Sequence, residues 1–469
     1  MFQAITHQVL ALFTEMVERD SDLKLLTDIL ATERGIESWL RDCGLEMWRV
    51  YLKVRVEQSK ANRASCKCGK PIPIHKESRW LRHCKLGTVV VADPYCYCRE
   101  CGAQARPLHE LLGTERESWS LDAEKMAVDL ASDESCEKAV KKLERMHPGL
   151  QMGRTTALRG LHKHGENARA FIQGKVGQAL IQAQVKAEQT GGIAELEVEY
   201  DEGMIPTAVL TPVATEPGKA VERTAVRGLL KRKRVCEWKG AKLGLVQIPG
   251  ETTRIYTARP THELDEVFQD LLGLAVLKGW AGDTQVRGIA DGAPYIRKRL
   301  EKTFEGSPFK FILDWPHAKG HVYAAAERLH PFDEERRKAW IARTMNDFDL
   351  GKAQEVVDSL RQLAASRDDD VLRKAAEYFD RNKDAVAYAE YREKGWSTAS
   401  SEVESSHRHV VQVRLKIPGA WWHPDNVGNI LALRVLKCNP GWWDEYWERQ
   451  DEEWKERALS YRQTERKAA

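Results

Sequence analysis

A chain of 469 residues is long enough for about two to four domains, each with its own core. Its 42% hydrophobic and 30% charged residues exclude a disordered or fibrous protein, and a net charge of +3 is too small to demand a polyanionic partner by itself. No apolar run approaches membrane-spanning length, and the first residues lack the pattern of an export signal. The expectation is therefore a cytoplasmic protein with no membrane partner.

In chain order, residues 1–62 read as helices, with one apolar stripe on Leu10, Phe13, Met16 and Val17 and another running from Leu23 to Leu40. They suit a packing or dimerisation segment. Residues 63–117 carry Cys66-Lys-Cys68-Gly69, a strand-like run at 87–91, and then Cys96-Tyr-Cys98-Arg-Glu-Cys101-Gly102. Bunched cysteines in a chain without an export signal favour metal over disulfides. The Cys98-x-x-Cys101-Gly spacing aims two thiolates at one ion, with glycine taking the tight turn behind them. Cys66 and Cys68 complete a four-sulfur Zn2+ site in a zinc-ribbon-like module. Cys96 is a spare candidate ligand, and reduced core cysteines are the plainer alternative.

Residues 118–190 read as helices over 121–131 (capped by Ser120), 134–146 (capped by Ser132 or Asp133) and 152–164, closed by Gly165 and followed by a connector over 168–187. The third helix shows Arg154, Thr155, Thr156, Arg159 and Lys163 on one side. A trihelical unit ending in a basic, hydroxyl-rich helix fits a helix-turn-helix reader of double-stranded DNA; the alternative is a helical linker with solvated charges.

From 191 to 330 the texture turns to α/β. Residues 193–201 alternate apolar and acidic residues and end at Asp201. Lys231, Arg232, Lys233 and Arg234 form a basic cluster suited to phosphate contact, followed by a strand-like run at 243–248. A helix over 263–280, capped by Thr261, precedes a strand over 286–290 that stops at Asp291-Gly292, a turn kept open by glycine. Pro294 then opens a basic helix. Asp291 either caps that helix or reaches a metal or substrate. A strand over 308–313 closes on Asp314-Trp-Pro-His317, and a helix follows over 318–329; strand-helix alternation implies parallel pairing. Residues 331–396 read as a helical insertion. Residues 397–438 hold a serine-capped helix with Glu402, Glu404, Arg414 and Lys416, then an apolar helix over 427–436; 439–469 form a charged, tryptophan-rich tail.

Three carboxylates, Asp201, Asp291 and Glu404, suit a two-metal phosphoryl-transfer site, because Mg2+ (or Mn2+) needs few protein oxygens. Glu404 is favoured over Glu402, since the two lie about 200° apart on a helix and Glu404 shares a stripe with Val411 and Leu415. Arg414, Lys416 and the 231–234 cluster are candidate phosphate contacts. His317 either serves the site or is a satisfied structural histidine.

Ala290-Asp291-Gly292-Ala293, Leu313-Asp314-x-x-His317, and Val403-Glu404-Ser405 followed by Arg414-Leu-Lys416, Gly419 and Trp422 resemble the DDE transposases of bacterial insertion sequences. The match is to the mutator-like branch, most closely the ISKra-type group. The resemblance implies a ribonuclease-H-like mixed-sheet core with a helical insertion, preceded by the zinc module and helix-turn-helix. It assigns catalysis to Asp201, Asp291 and Glu404, and sets Asp314-x-x-His317 beside them. It implies cleavage and strand transfer at the element's terminal repeats, by a homo-oligomer on DNA associated with the nucleoid. Ala399-Ser400-Ser401 stands where the family has Gly-Ser-Gly. A catalytically retired DNA-binding regulator and a stand-alone ribonuclease-H-like nuclease are the rival readings.

Overall fold

The computed structural model describes residues 29–114, 117–213 and 231–468, together with His7, Leu10, Ala11 and Thr14. The chain forms two compact units, Met1–Leu161 with Asp444–Ala469, and His162–Trp443. Among the described residues, no helix is long and apolar enough to cross a membrane.

In the first unit, β1 (Ile74–Cys84) and β2 (Gly87–Tyr97) form an antiparallel hairpin extended by β3 (Gln104–Ala105). Trp80, Val89 and Val91 of this sheet pack on Leu52 and Val56 of the helix Ile29–Ala61 and on Leu108. Of the expected first stripe only Leu10 is described, and it is exposed; Phe13, Met16, Val17 and Leu23 lie outside the described residues. Ile36 and Leu40 are exposed too, so the core face of that helix lies further along than its sequence stripe suggested. The helix Leu121–Ala131 is capped by Ser120, whose hydroxyl accepts the Ala123 N–H at 3.2 Å. The next helix is Cys136–Met146 and is capped by Ser135, not by Ser132 or Asp133. Ser132 ends the preceding helix instead, turning its hydroxyl back to the Asp129 carbonyl.

Gly165 does not close the third helix, which runs unbroken over Arg154–Ala187. A Cβ at Gly165 would stand 2.6 Å from Asn429 Cβ. The missing side chain therefore serves close approach to the helix Pro424–Cys438 rather than termination.

The second unit is α/β and built on a five-stranded mixed sheet. Its strands are β4 (Glu195–Pro212), β5 (Arg232–Gln247), β6 (Arg254–Pro260), β7 (Gln285–Ala290) and β8 (Phe309–Leu313), in the order β6-β5-β4-β7-β8. β5 runs antiparallel to β4 and β6, while β4, β7 and β8 are parallel neighbours. The strand expected to end at Asp201 continues to Pro212: parallel pairing with β7 stops at Glu199, but the antiparallel ladder with β5 persists. Leu196, Val198 and Tyr200 are buried on one face of β4, and Glu197 and Glu199 are buried on the other. Both faces of β4 are therefore covered over Leu196–Tyr200.

The helix Leu264–Leu277 lies over β5 and β6, where Leu271 presses against Gly244. Thr261 does not cap it, because its hydroxyl is spent on Glu202 at 3.1 Å. The segment 331–396 is helical without strands, comprising Glu334–Asp349, Ala353–Arg367, Asp370–Asn382 and Tyr388–Glu393 as its α-helices. A further helical stretch is α-helical over Ser401–Ser406, π-helical over His407–Gln412 and α-helical again over Val413–Leu415.

Candidate functional site

The Sγ atoms of Cys66, Cys68, Cys98 and Cys101 all lie within 4.8 Å of one another. Two glycine-ended turns, the second longer by one residue, present them. Cys66 N–H bonds the Lys70 carbonyl and Gly69 N–H bonds the Cys66 carbonyl; Cys98 and Gly102 repeat the pattern, with Cys98 N–H bonding Ala103. Gly69 and Gly102 have φ of 77° and 70°, a region that glycine enters without strain. Backbone N–H groups of Cys101 and Glu100 pull the Cys98 thiol down to about 7, which favours the thiolate a metal requires. The Cys68 thiol donates to the Cys101 and Cys66 sulfurs, which raises it above its ordinary value. The group could hold a metal such as Zn2+. Cys96 is buried with Ile72 and Ala105 and stands outside it.

The acidic residues gather at one end of the parallel strands. The β4–β7 ladder pairs residues 90 apart, as in Glu199 with Ile289, and Asp201 and Asp291 continue that offset. β8 extends the row: Ala290 pairs with Leu313, and Asp314 N–H bonds the Ala290 carbonyl at 3.0 Å. Asp201, Asp291 and Asp314 thus occupy one level on three adjacent strands.

Each is held differently. His407 Nε2 lies 3.1 Å from Asp201 Oδ2. Burial pushes the Asp201 carboxyl up, but the His407 contact outweighs it and the group sits below the usual carboxylate range. Gly203 makes room for this histidine, since a Cβ there would stand 2.7 Å from His407 Nδ1. Asp291 Oδ1 accepts the Ala293 N–H at 3.0 Å, forming an Asx turn; the helix Pro294–Thr303 has Ala293 as its N-cap and no side-chain cap. Gly292 does not hold this turn open. A Cβ there would meet Asn382 Nδ2 at 2.6 Å and Tyr378 Cε2 at 2.7 Å, so the glycine admits the helix Asp370–Asn382 onto the turn.

Asp314 is fully buried and its oxygens accept four hydrogen bonds: His317 N–H (2.9 Å) and Nδ1 (2.6 Å), and Ser400 N–H (2.6 Å) and Oγ (2.8 Å). Burial raises its carboxyl, but these donors more than offset that and hold it low. His317 is pushed up to about 9, by the Asp314 hydrogen bond first, against burial, with the charges of Asp314, Asp291 and Asp201 adding to it. Its Nδ1 is 3.9 Å from Glu404 Oε1. Glu404 is itself raised, by burial and then by the charge of Asp314, with that of Asp201 also contributing. Asp314, His317 and Glu404 offer ligand atoms within 4.8 Å of one another and could hold a cation; Asp201 and Asp291 do not belong to that group. Beside them, Pro316, His317, Gly320, His321, Ala324 and Glu404 line an open groove of ≈ 440 Å³.

Glu402 turns away to Arg254, at 2.9 Å. Val411 and Leu415 are buried but Glu404 is exposed, because the π-helical stretch His407–Gln412 breaks the regular spacing on which the expected stripe rested. Arg154, Thr155, Arg159 and Lys163 are exposed on their helix, and Lys416 is exposed as well. Lys231 to Arg234 are exposed at the far end of the β4–β5 ribbon, where Arg234 faces Leu210. That places them about 30 Å along the strand from Asp201 at ~3.4 Å per residue. Arg414 departs from the expectation of a phosphate contact: it is buried, its guanidinium 4.5 Å over the Trp422 ring.

Sequence reasoning did not find Glu199, Ser400 or His407. His407 carried a signal, lying one helical turn after Glu404, whereas Glu199 read as one acid among several on an alternating strand. Compared with known proteins, the chain matches no family model and no curated protein.

Proposed function

We propose that this chain is a metal-dependent DNA strand-transfer enzyme, a DDE transposase acting on the terminal repeats of an insertion sequence. The observation that carries the reading is that Asp201 and Asp291 continue the 90-residue offset of the β4–β7 ladder at one end of the sheet, where Glu404 stands 3.9 Å from His317. Counting β4 as the first strand, the sheet order is 3-2-1-4-5 with only the second strand reversed, which supports a ribonuclease-H-like core.

Asp201, Asp291 and Glu404 would hold Mg2+ (or Mn2+), which supplies activation of a water or 3′-hydroxyl and stabilises the leaving oxygen. His407 orients Asp201. Asp314 fixes the His317 ring through Nδ1, so that its other nitrogen serves to orient a phosphate oxygen. Arg154, Thr155, Arg159 and Lys163 read the terminal repeats as part of a helix-turn-helix, aided by a Zn2+-bound four-cysteine module. Lys231 to Arg234 and Lys416 contact phosphates flanking the cut, and the working form on DNA is a homo-oligomer.

The test is incubation of the full chain with DNA carrying the inverted repeats that flank its reading frame, in Mg2+. Cleavage at the repeat ends and joining of the new 3′-hydroxyl support the reading. Sequence-specific binding without cutting would mark a regulator, and cutting indifferent to end sequence would mark a nuclease.

A further inference from the structure

Glu199 is fully buried on β4, two residues before Asp201 and on the same face of the strand. Its Oε2 accepts the backbone N–H of Val403 at 2.7 Å, across 204 residues of chain. Val403 immediately precedes Glu404 in the first turn of the helix Ser401–Ser406, where an N–H has no partner within the helix. The neighbouring acids have other duties. Glu197 takes a hydrogen bond from Gln247 at 2.6 Å and faces Arg287 at 3.7 Å, while Glu402 pairs with Arg254. Glu199 Oε1 is buried and accepts no hydrogen bond among the described residues, its carboxyl standing beside that of Glu197. A buried carboxyl with an unpartnered oxygen is costly, and an apolar residue of similar volume would serve packing better.

Resting on the functional reading above, we infer that Glu199 is a positioning residue for Glu404. One strand carries both Asp201 and the clamp, so the Glu199–Val403 bond sets the depth at which Glu404 stands beside Asp201. The helix cannot slide along the sheet without breaking that bond.

The test uses the full chain with Glu199→Met, which keeps the length of the side chain and removes the acceptor, and Glu199→Gln, which keeps an acceptor. Two measurements are made on each: hydrogen exchange of residues 400–406 by mass spectrometry, and Mn2+ binding followed by electron paramagnetic resonance. Glu199→Met should speed exchange in 400–406 and weaken Mn2+ binding, each by about tenfold, with the helix Pro424–Cys438 unaffected. Glu199→Gln should stay within about twofold of the parent protein on both. Unchanged exchange in Glu199→Met, or equal losses in the two variants, overturns the inference. A parent protein whose variants show the expected exchange pattern but which binds no Mn2+ keeps the clamp and removes the metal reading.

Discussion

Asp314 Oδ1 accepts two hydrogen bonds from Ser400, one from its N–H at 2.6 Å and one from its hydroxyl at 2.8 Å, although 86 residues separate them. The helices of 331–396 fill that interval, and this contact returns the chain to the end of β8 just before Glu404. Asp314→Ala should therefore cost about 3 kcal/mol in chemical denaturation, because it leaves the buried donors of Ser400 unsatisfied and removes both hydrogen bonds of His317. Ser400→Ala removes only the hydroxyl bond and should cost about 1 kcal/mol. Equal stability of Asp314→Ala and the parent protein would contradict this role.

The four-cysteine group predicts one Zn2+ per chain by elemental analysis, lost on Cys98→Ser or Cys101→Ser. Cys96→Ser should retain the metal, since that thiol does not belong to the four-sulfur group. Loss of metal with Cys96→Ser would reassign the ligands.

Acid should weaken the first unit through Asp93. This buried carboxylate lies 3.3 Å from His109 Nε2, pairs with Arg106 and receives Ser78 Oγ. Burial raises it, but His109 and then Arg106 hold it below the usual range. A depressed folded-state value means the stabilisation is complete above the ordinary carboxylate value of ~3.9 and is lost as pH falls through the lower folded value. Asp93→Asn should therefore lose stability at neutral pH and flatten the acid limb of a denaturation profile. An unchanged acid limb would refute the assignment.

Gly292→Ala should place a methyl group against Asn382 and Tyr378 and shift the Asp291 turn. The expected cost is about 2 kcal/mol, with cleavage falling more than DNA binding. A variant as stable and active as the parent protein would show that the insertion helix does not brace this turn.

The parts of the fold legible in the sequence were those with local causes. Ser120 announced its helix, Gly69 and Gly102 marked the turns under the cysteines, and the break after Ala290 marked a strand end. The parts that were not legible depend on partners distant in sequence. Gly165 looked like a helix stop because nothing nearby shows that Asn429 will press on it. Asp201 looked like a strand end because apolar alternation fades there, while the strand continues on its ladder with β5. Arg414 looked like a surface cation until Trp422 covered it. Nothing near Glu199 in the sequence shows that it will be buried, because the helix that meets it begins 202 residues later at Ser401.

The π-helical turn at His407–Gln412 matters most for the remaining choice between two glutamates, because it lies between Glu404 and its buried stripe and regular α-helical spacing does not hold across it. Glu404 stands 3.9 Å from His317, and Glu402 is bound to Arg254 at 2.9 Å. The most direct measurement is strand cleavage of terminal-repeat DNA in Mg2+ by Glu404→Gln and Glu402→Gln, with binding followed by gel shift on the same preparations. Glu404→Gln should bind the ends as the parent protein does and cut at less than about a hundredth of its rate, while Glu402→Gln should cut within about threefold of it. Cleavage that survives Glu404→Gln and disappears with Glu402→Gln would contradict the assignment of the acidic site.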